Sequence, residues 1–104
     1  MLKDGDLLDY VRAWVSEKGT FVRDHTVEFV VNESPEDREP KSIRLIFDAD
    51  RKLSEIVVWA DGNAELSFAD IDSREEFSRH CDIESMKDLE AALNVVLEWV
   101  VGSL

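Results

Sequence analysis

Residues 56–66 read Ile-Val-Val-Trp-Ala-Asp-Gly-Asn-Ala-Glu-Leu, two strand-like runs joined by Asp61-Gly62, and no other stretch restricts the fold as much. Two registers compete for it. A two-residue Asp61-Gly62 turn pairs Val58 with Glu65 and buries Trp59 with Val57, Ala64 and Leu66. A three-residue Ala60-Asp61-Gly62 loop pairs Val58 with Ala64 and Ile56 with Leu66, and it puts Gly62 where a positive φ is wanted. Because a one-residue slip moves every side chain to the other face, the matching of apolar with apolar favours the longer loop. Trp59 then shares a face with Glu55, Glu65 and Ser67, opposite the main apolar set.

The rest of the chain supplies partners for this hairpin. Leu7, Leu8, Val11, Trp14 and Val15 recur at helical spacing within residues 6–18, with Asp6 available as N-cap and Gly19 placed to stop the helix. Alternation over residues 26–32 sets Val27, Phe29 and Val31 against Thr26, Glu28 and Val30, which reads as a strand. Residues 33–41 combine two prolines with charged side chains and form an exposed connection. Ile43, Leu45, Phe47 and Ala49 alternate again, and Asp50-Arg51-Lys52 leads into the strand around Glu55 to Ala60. After Phe68, Ser73 with Glu76 three residues on resembles a capping box for a short helix through Phe77. Ser85 with Asp88 caps a final helix that carries Met86, Leu89, Ala92, Leu93, Val96 and Val100 on one stripe. Its last turns, with Val95, Leu97, Trp99 and Val101 added, are too apolar for a helix with one wet face. They call for burial between layers or a subunit contact. The expected fold is a single α+β domain over residues 1–104. One helix, an antiparallel four-stranded sheet and a helical C-terminus follow in that order, with the helices mainly on one face.

Charge narrows the choice of partner. The 104 residues hold 24 acids against 12 Lys and Arg, a net charge of −12, which repels nucleic-acid phosphates and anionic membranes alike. Residues 61–90 alone carry ten acids and three bases. Such a field favours a basic partner. Cys81 is the only cysteine, so no intrachain disulfide forms and a reducing, cytoplasmic setting is expected. The start, Met1 to Asp6, has no basic segment leading into an apolar one. No stretch approaches the roughly 18 apolar residues of a membrane span.

Catalytic chemistry finds no anchor in this sequence. His25 and His80 lie in different segments, and two histidines with one cysteine do not form a zinc site. His80-Cys81-Asp82 has residue types used in thiol chemistry, but adjacent side chains diverge. Asp48, Asp50, Asp70 and Asp72 lack the spacing of a calcium loop, and the four glycines form no phosphate loop or nucleophile elbow. The expectation is a binding protein with no enzyme activity, metal or cofactor.

The strand Ile56 to Trp59, the Gly62 turn, Glu65-Leu66, the segment Asp70-Ile71-Asp72, Phe77-Ser78-Arg79-His80 and the Leu-rich terminal helix together resemble the TriTu-like immunity proteins of bacterial polymorphic toxin systems. The resemblance spans roughly residues 43 to 101, whereas residues 33–41 and the first helix carry no family signature. It implies a small cytoplasmic protein that binds and neutralises the cognate toxin domain encoded beside it, including toxins of contact-dependent growth inhibition. An acidic inhibitor suits a nuclease with a basic cleft, which it would block by stoichiometric occlusion. Trp59 would be the anchor, with Glu55, Asp61, Glu65, Asp70 and Asp72 as charged neighbours. The alternative is an acidic cytoplasmic secretion chaperone that holds an effector segment as a homodimer through the apolar C-terminal helix.

Overall fold

The computed structural model describes residues 6–24, 27–35, 37 and 39–102. Helix α1 (Asp6–Asp24) is followed by strands β1 (Glu28–Glu33), β2 (Ser42–Asp48), β3 (Lys52–Trp59), β4 (Asn63–Asp70) and β5 (Glu75–Asp82), then helix α2 (Met86–Val101). The strands form one antiparallel sheet in the order β1-β2-β3-β4-β5. Each strand pairs with its sequence neighbour, so every connection is a local turn or loop.

The β3–β4 loop has three residues, and Val58 pairs with Ala64 and Ile56 with Leu66. Gly62 adopts φ +98 there, a conformation that other residues rarely take. Its N–H donates to the Trp59 carbonyl at 3.0 Å, and its own carbonyl accepts from Ile83 N at 2.7 Å. A Cβ at position 62 would lie 2.9 Å from the Ile83 oxygen. The glycine therefore sets the hairpin register and ties it to the end of β5.

Both helices lie on one side of the sheet. On that side Ile43, Leu45 and Phe47 of β2, Ile56 and Val58 of β3, and Ala64, Leu66 and Phe68 of β4 meet Leu7, Leu8, Val11, Trp14 and Val22 of α1 and Leu89, Leu93, Val96 and Leu97 of α2. Ser54 is the one buried polar residue among those described, and its hydroxyl donates to the Val96 carbonyl at 2.7 Å. Trp14 packs edge-on against Phe47. Helix α2 starts as the Ser85–Asp88 spacing predicts: the Ser85 hydroxyl accepts from Asp88 N at 3.1 Å, and the Asp88 carboxylate accepts from Glu84 N at 3.0 Å. Its apolar last turns are largely consumed inside the subunit, since Val96, Leu97 and Val100 are buried and only Val95 stays exposed. Arg12 of α1 pairs with Glu33 of β1 at 2.7 Å, closing the layer at the first strand. The guanidinium holds the Glu33 carboxyl below its ordinary pKa, against a smaller opposing effect of burial.

Three expectations are corrected. The sheet has five strands and not four, because residues 75–82 form β5 and not a short helix. The Ser73 hydroxyl accepts from Glu75 N, the Asp70 carboxylate accepts from Asp72 N and Ser73 N, and Arg74 takes φ +63. These bonds build a reverse turn, and Phe77 then stacks on Phe68 across the strand pair at 5.0 Å. A cross-strand aromatic contact thus overrides a local capping pattern. Gly19 does not stop α1, which runs on to Asp24; the helix cost of one glycine, about 1 kcal/mol, is outweighed by burying Val22. Strand β3 starts earlier than expected, at Lys52, after a turn in which Asp50 has φ +72. Thr26 and His25 lie outside the described residues.

Candidate functional site

Strict alternation leaves the second side of the sheet without a helix. The registers line up Asn32, Arg44, Val57, Glu65 and His80 in one row across all five strands, with Val30, Ile46, Glu55, Ser67 and Ser78 in the next. A third row runs Glu28, Asp48, Leu53, Ala69 and Glu76. Trp59 and Asp82 stand at the end of this face, beside the β3–β4 loop. The face therefore has an apolar middle of Ile46, Leu53, Val57 and Trp59, half-buried side chains outside the core. Carboxylates surround it: Glu28, Asp48, Glu55, Glu65, Glu76 and Asp82.

Three of these carboxylates already have a basic partner. Arg44 Nε lies 2.8 Å from Glu55. His80 sits between two acids, Nδ1 3.2 Å from Glu65 and Nε2 3.0 Å from Asp82. Its pKa is raised above the ordinary imidazole value, first by the hydrogen bond to Asp82 and then by that to Glu65. Ion pairs this exposed are screened by solvent and hold their partners weakly.

The expected site residues do not form one cluster. Trp59, Glu55 and Glu65 share the open face, and Asp61 is exposed in the adjoining loop, where its carboxylate accepts from Asn63 N at 3.0 Å. Asp70 and Asp72 lie at the opposite end of β4, about 20 Å away for an eight-residue strand. There Asp70 caps the β4–β5 turn and Asp72 is ion-paired with Arg51. Sequence reasoning missed His80, Asp82, Glu76 and Arg44 as members of this surface. The signal for the first three was the alternation of Phe77, Arg79 and Cys81, which was weak because Arg79 occupies an inward parity.

Among the described residues, no group of three or more His, Cys, Asp or Glu side chains is placed to hold a metal ion, and no helix is long and apolar enough to cross a membrane. Cys81 is a free, partly buried thiol on β5, opposite Ala64.

Fold and surface together define a small two-layer α+β protein with a helix-free, acidic sheet face that has an apolar middle. The family model for the immunity protein TriTu matches residues 9–99, and the chain belongs to this family of immunity proteins. The match bears out the resemblance read from residues 43 to 101 and extends it over α1 and the 34–41 loop, where the sequence offered no signature. A comparison with curated proteins finds no match. Family membership makes a toxin protein the partner.

Proposed function

We propose that this immunity protein works in the cytoplasm and silences a nucleic-acid-cleaving toxin domain by laying its open sheet face over the toxin's basic substrate cleft. The observation that carries this reading is the coincidence, on one helix-free face, of an apolar middle with surrounding carboxylates. Such a surface offers desolvation at its centre and long-range attraction at its rim. Trp59 is the anchor, a large side chain with few rotamers to lose on binding. Glu55 and Glu65 exchange Arg44 and His80 for basic groups of the toxin, and Asp61 extends the contact around the loop. Asp70 and Asp72 act at the rim by charge alone, since Asp70 also caps the β4–β5 turn and Asp72 is paired with Arg51. Neutralisation is stoichiometric occlusion without turnover and without metal or cofactor, within a polymorphic toxin system such as contact-dependent growth inhibition.

The test is co-expression with the toxin domain encoded beside this chain. Rescue of growth by the wild-type chain, and its loss on Glu55→Lys with Glu65→Lys, are expected; in vitro the same change slows association and flattens its dependence on salt. Full rescue by the charge-reversed protein would remove the open face from the mechanism. The secretion-chaperone alternative rested on the apolar end of α2, and Val96, Leu97 and Val100 are buried within the subunit.

A further inference from the structure

The helix layer stops one strand short. Helix α1 packs over β1, β2 and β3, and α2 over β2, β3 and β4, but neither covers β5. Helix α2 sits mainly on β3, and β5 lies two strand spacings, about 10 Å, from β3; packed helices stand about 8–10 Å apart, so the strip over β5 has room for one more helix. The strip is a groove of about 580 Å³ at the α2 C-terminal end, continuing past Arg79 and Val95 toward Cys81 and Ala91 with about 240 Å³ more. Its floor is aromatic: Phe77 stacks on Phe68 at 5.0 Å and meets Trp99 edge-on at 5.6 Å. Phe77 is 47% and Val95 36% exposed, and both line the groove. Exposed large apolar side chains flanking a groove mark an interaction site more often than an idle surface.

At its Phe77–Trp99 end the groove is locally basic, unlike the rest of this protein, while its far end carries Asp82 and Asp88. In a chain of net −12, it holds Lys52, whose Nζ stands 4.9 Å over the Trp99 ring, and Arg79 on the same side of β5. Neither forms an ion pair with a carboxylate among the described residues. Glu98 lines the same cavity on the α2 wall. Two cations above an aromatic floor, with one acid opposite, accept a single carboxylate set in an apolar stripe better than they accept an acid-rich segment.

We propose that the β5–α2 groove is a second docking site for the toxin, and that it receives an amphipathic helix of the toxin which completes the helix layer. The helix places apolar side chains between Phe77 and Val95 and a carboxylate against Lys52 and Arg79. This rests on the immunity reading for the identity of the partner, while the groove itself is independent of the open face. A second copy of this chain is the poorer occupant, because two bodies of charge −12 repel each other.

The experiment is calorimetric titration of the catalytically inactivated toxin domain into the wild-type chain and into Val95→Glu, Arg79→Glu and Arg79→Lys, with circular dichroism and mass in solution recorded for each. Both exposed positions tolerate the change without unfolding. Val95→Glu and Arg79→Glu are expected to weaken binding about thirtyfold each, and Arg79→Lys to stay within about threefold of wild type. Equal binding by all four proteins overturns the groove and leaves the immunity reading intact. Failure of the wild-type chain itself to bind overturns both. A dimer that Val95→Glu converts to monomer, with toxin binding unaltered, assigns the groove to a second copy and overturns the proposal.

Discussion

On the helix side of the sheet Ile43, Leu45, Ile56, Val58, Ala64 and Leu66 are at most 1% exposed, while their chain neighbours Arg44, Glu55, Val57 and Glu65 on the other side still reach solvent. The same strands supply both sets. Side-chain alternation thus lets one backbone separate what holds the fold from what is free to meet a partner. The helix side is crowded and apolar, so nearly any change there acts through stability. The open side is charged around a thin apolar middle, and changes there are expected to act through binding. Five substitutions, taken from the largest effect to the smallest, with Glu65→Lys as a control for the first, break or sharpen that division.

Leu97→Ala removes a residue 1% exposed at the centre of the α2 contact and should cost about 2–5 kcal/mol in urea unfolding. Glu65→Lys on the other face should cost no more than about 0.5 kcal/mol. Equal losses for the two would erase the distinction. Gly62→Ala comes next, at about 1–3 kcal/mol, because alanine must accept φ +98 and its Cβ meets the Ile83 oxygen. An unchanged urea midpoint would mean that the loop relaxes, and that the register of Trp59 does not depend on the glycine. Ser54→Ala, the polar exception on the apolar side, should lower stability by about 1 kcal/mol through loss of its bond to the Val96 carbonyl. A gain would show that the helix carbonyl needs no second donor.

Trp59→Ala should reverse the pattern, with a stability loss of about 1 kcal/mol or less but at least about tenfold weaker toxin binding. Were stability to fall as far as for Leu97→Ala, Trp59 would belong with the core. The smallest effect is expected at His80. Its folded pKa lies above the unfolded value, so the protonated ring stabilises the fold fully below the unfolded value, and this contribution is lost as pH rises through the folded one. His80→Gln should therefore lose most relative to wild type near about pH 5 and converge with it near about pH 9. A difference that grew with pH would falsify the arrangement of His80 between Glu65 and Asp82.

Much of this was legible in the residues because it depends on neighbours close in sequence. The Ser85–Asp88 spacing predicts the start of α2, and helix caps are local hydrogen bonds. Matching Ile56 with Leu66 and Val58 with Ala64 predicts the three-residue loop, and with it the exposed side of Trp59. The segment after Asp70 was misread for the same reason. Ser73 and Glu76 have capping-box spacing, and the strand that forms instead is specified by Phe68 and Leu66 on β4, far from any local pattern. Gly19 misled likewise, because nothing local reveals that Val22 will be buried.

By itself, then, the sequence determined which residues alternate, where α2 is capped, which side of β3 carries Trp59 and that the surface would be acidic. These follow from backbone periodicity, hydrogen bonds within a few residues and counted charge. Only the tertiary structure decided that residues 75–82 are a strand, that Glu65, His80 and Asp82 meet, and that β5 is left uncovered beside α2. Those outcomes depend on which strand lies next to which, and a strand, unlike a helix, finds its hydrogen-bond partners in another part of the chain.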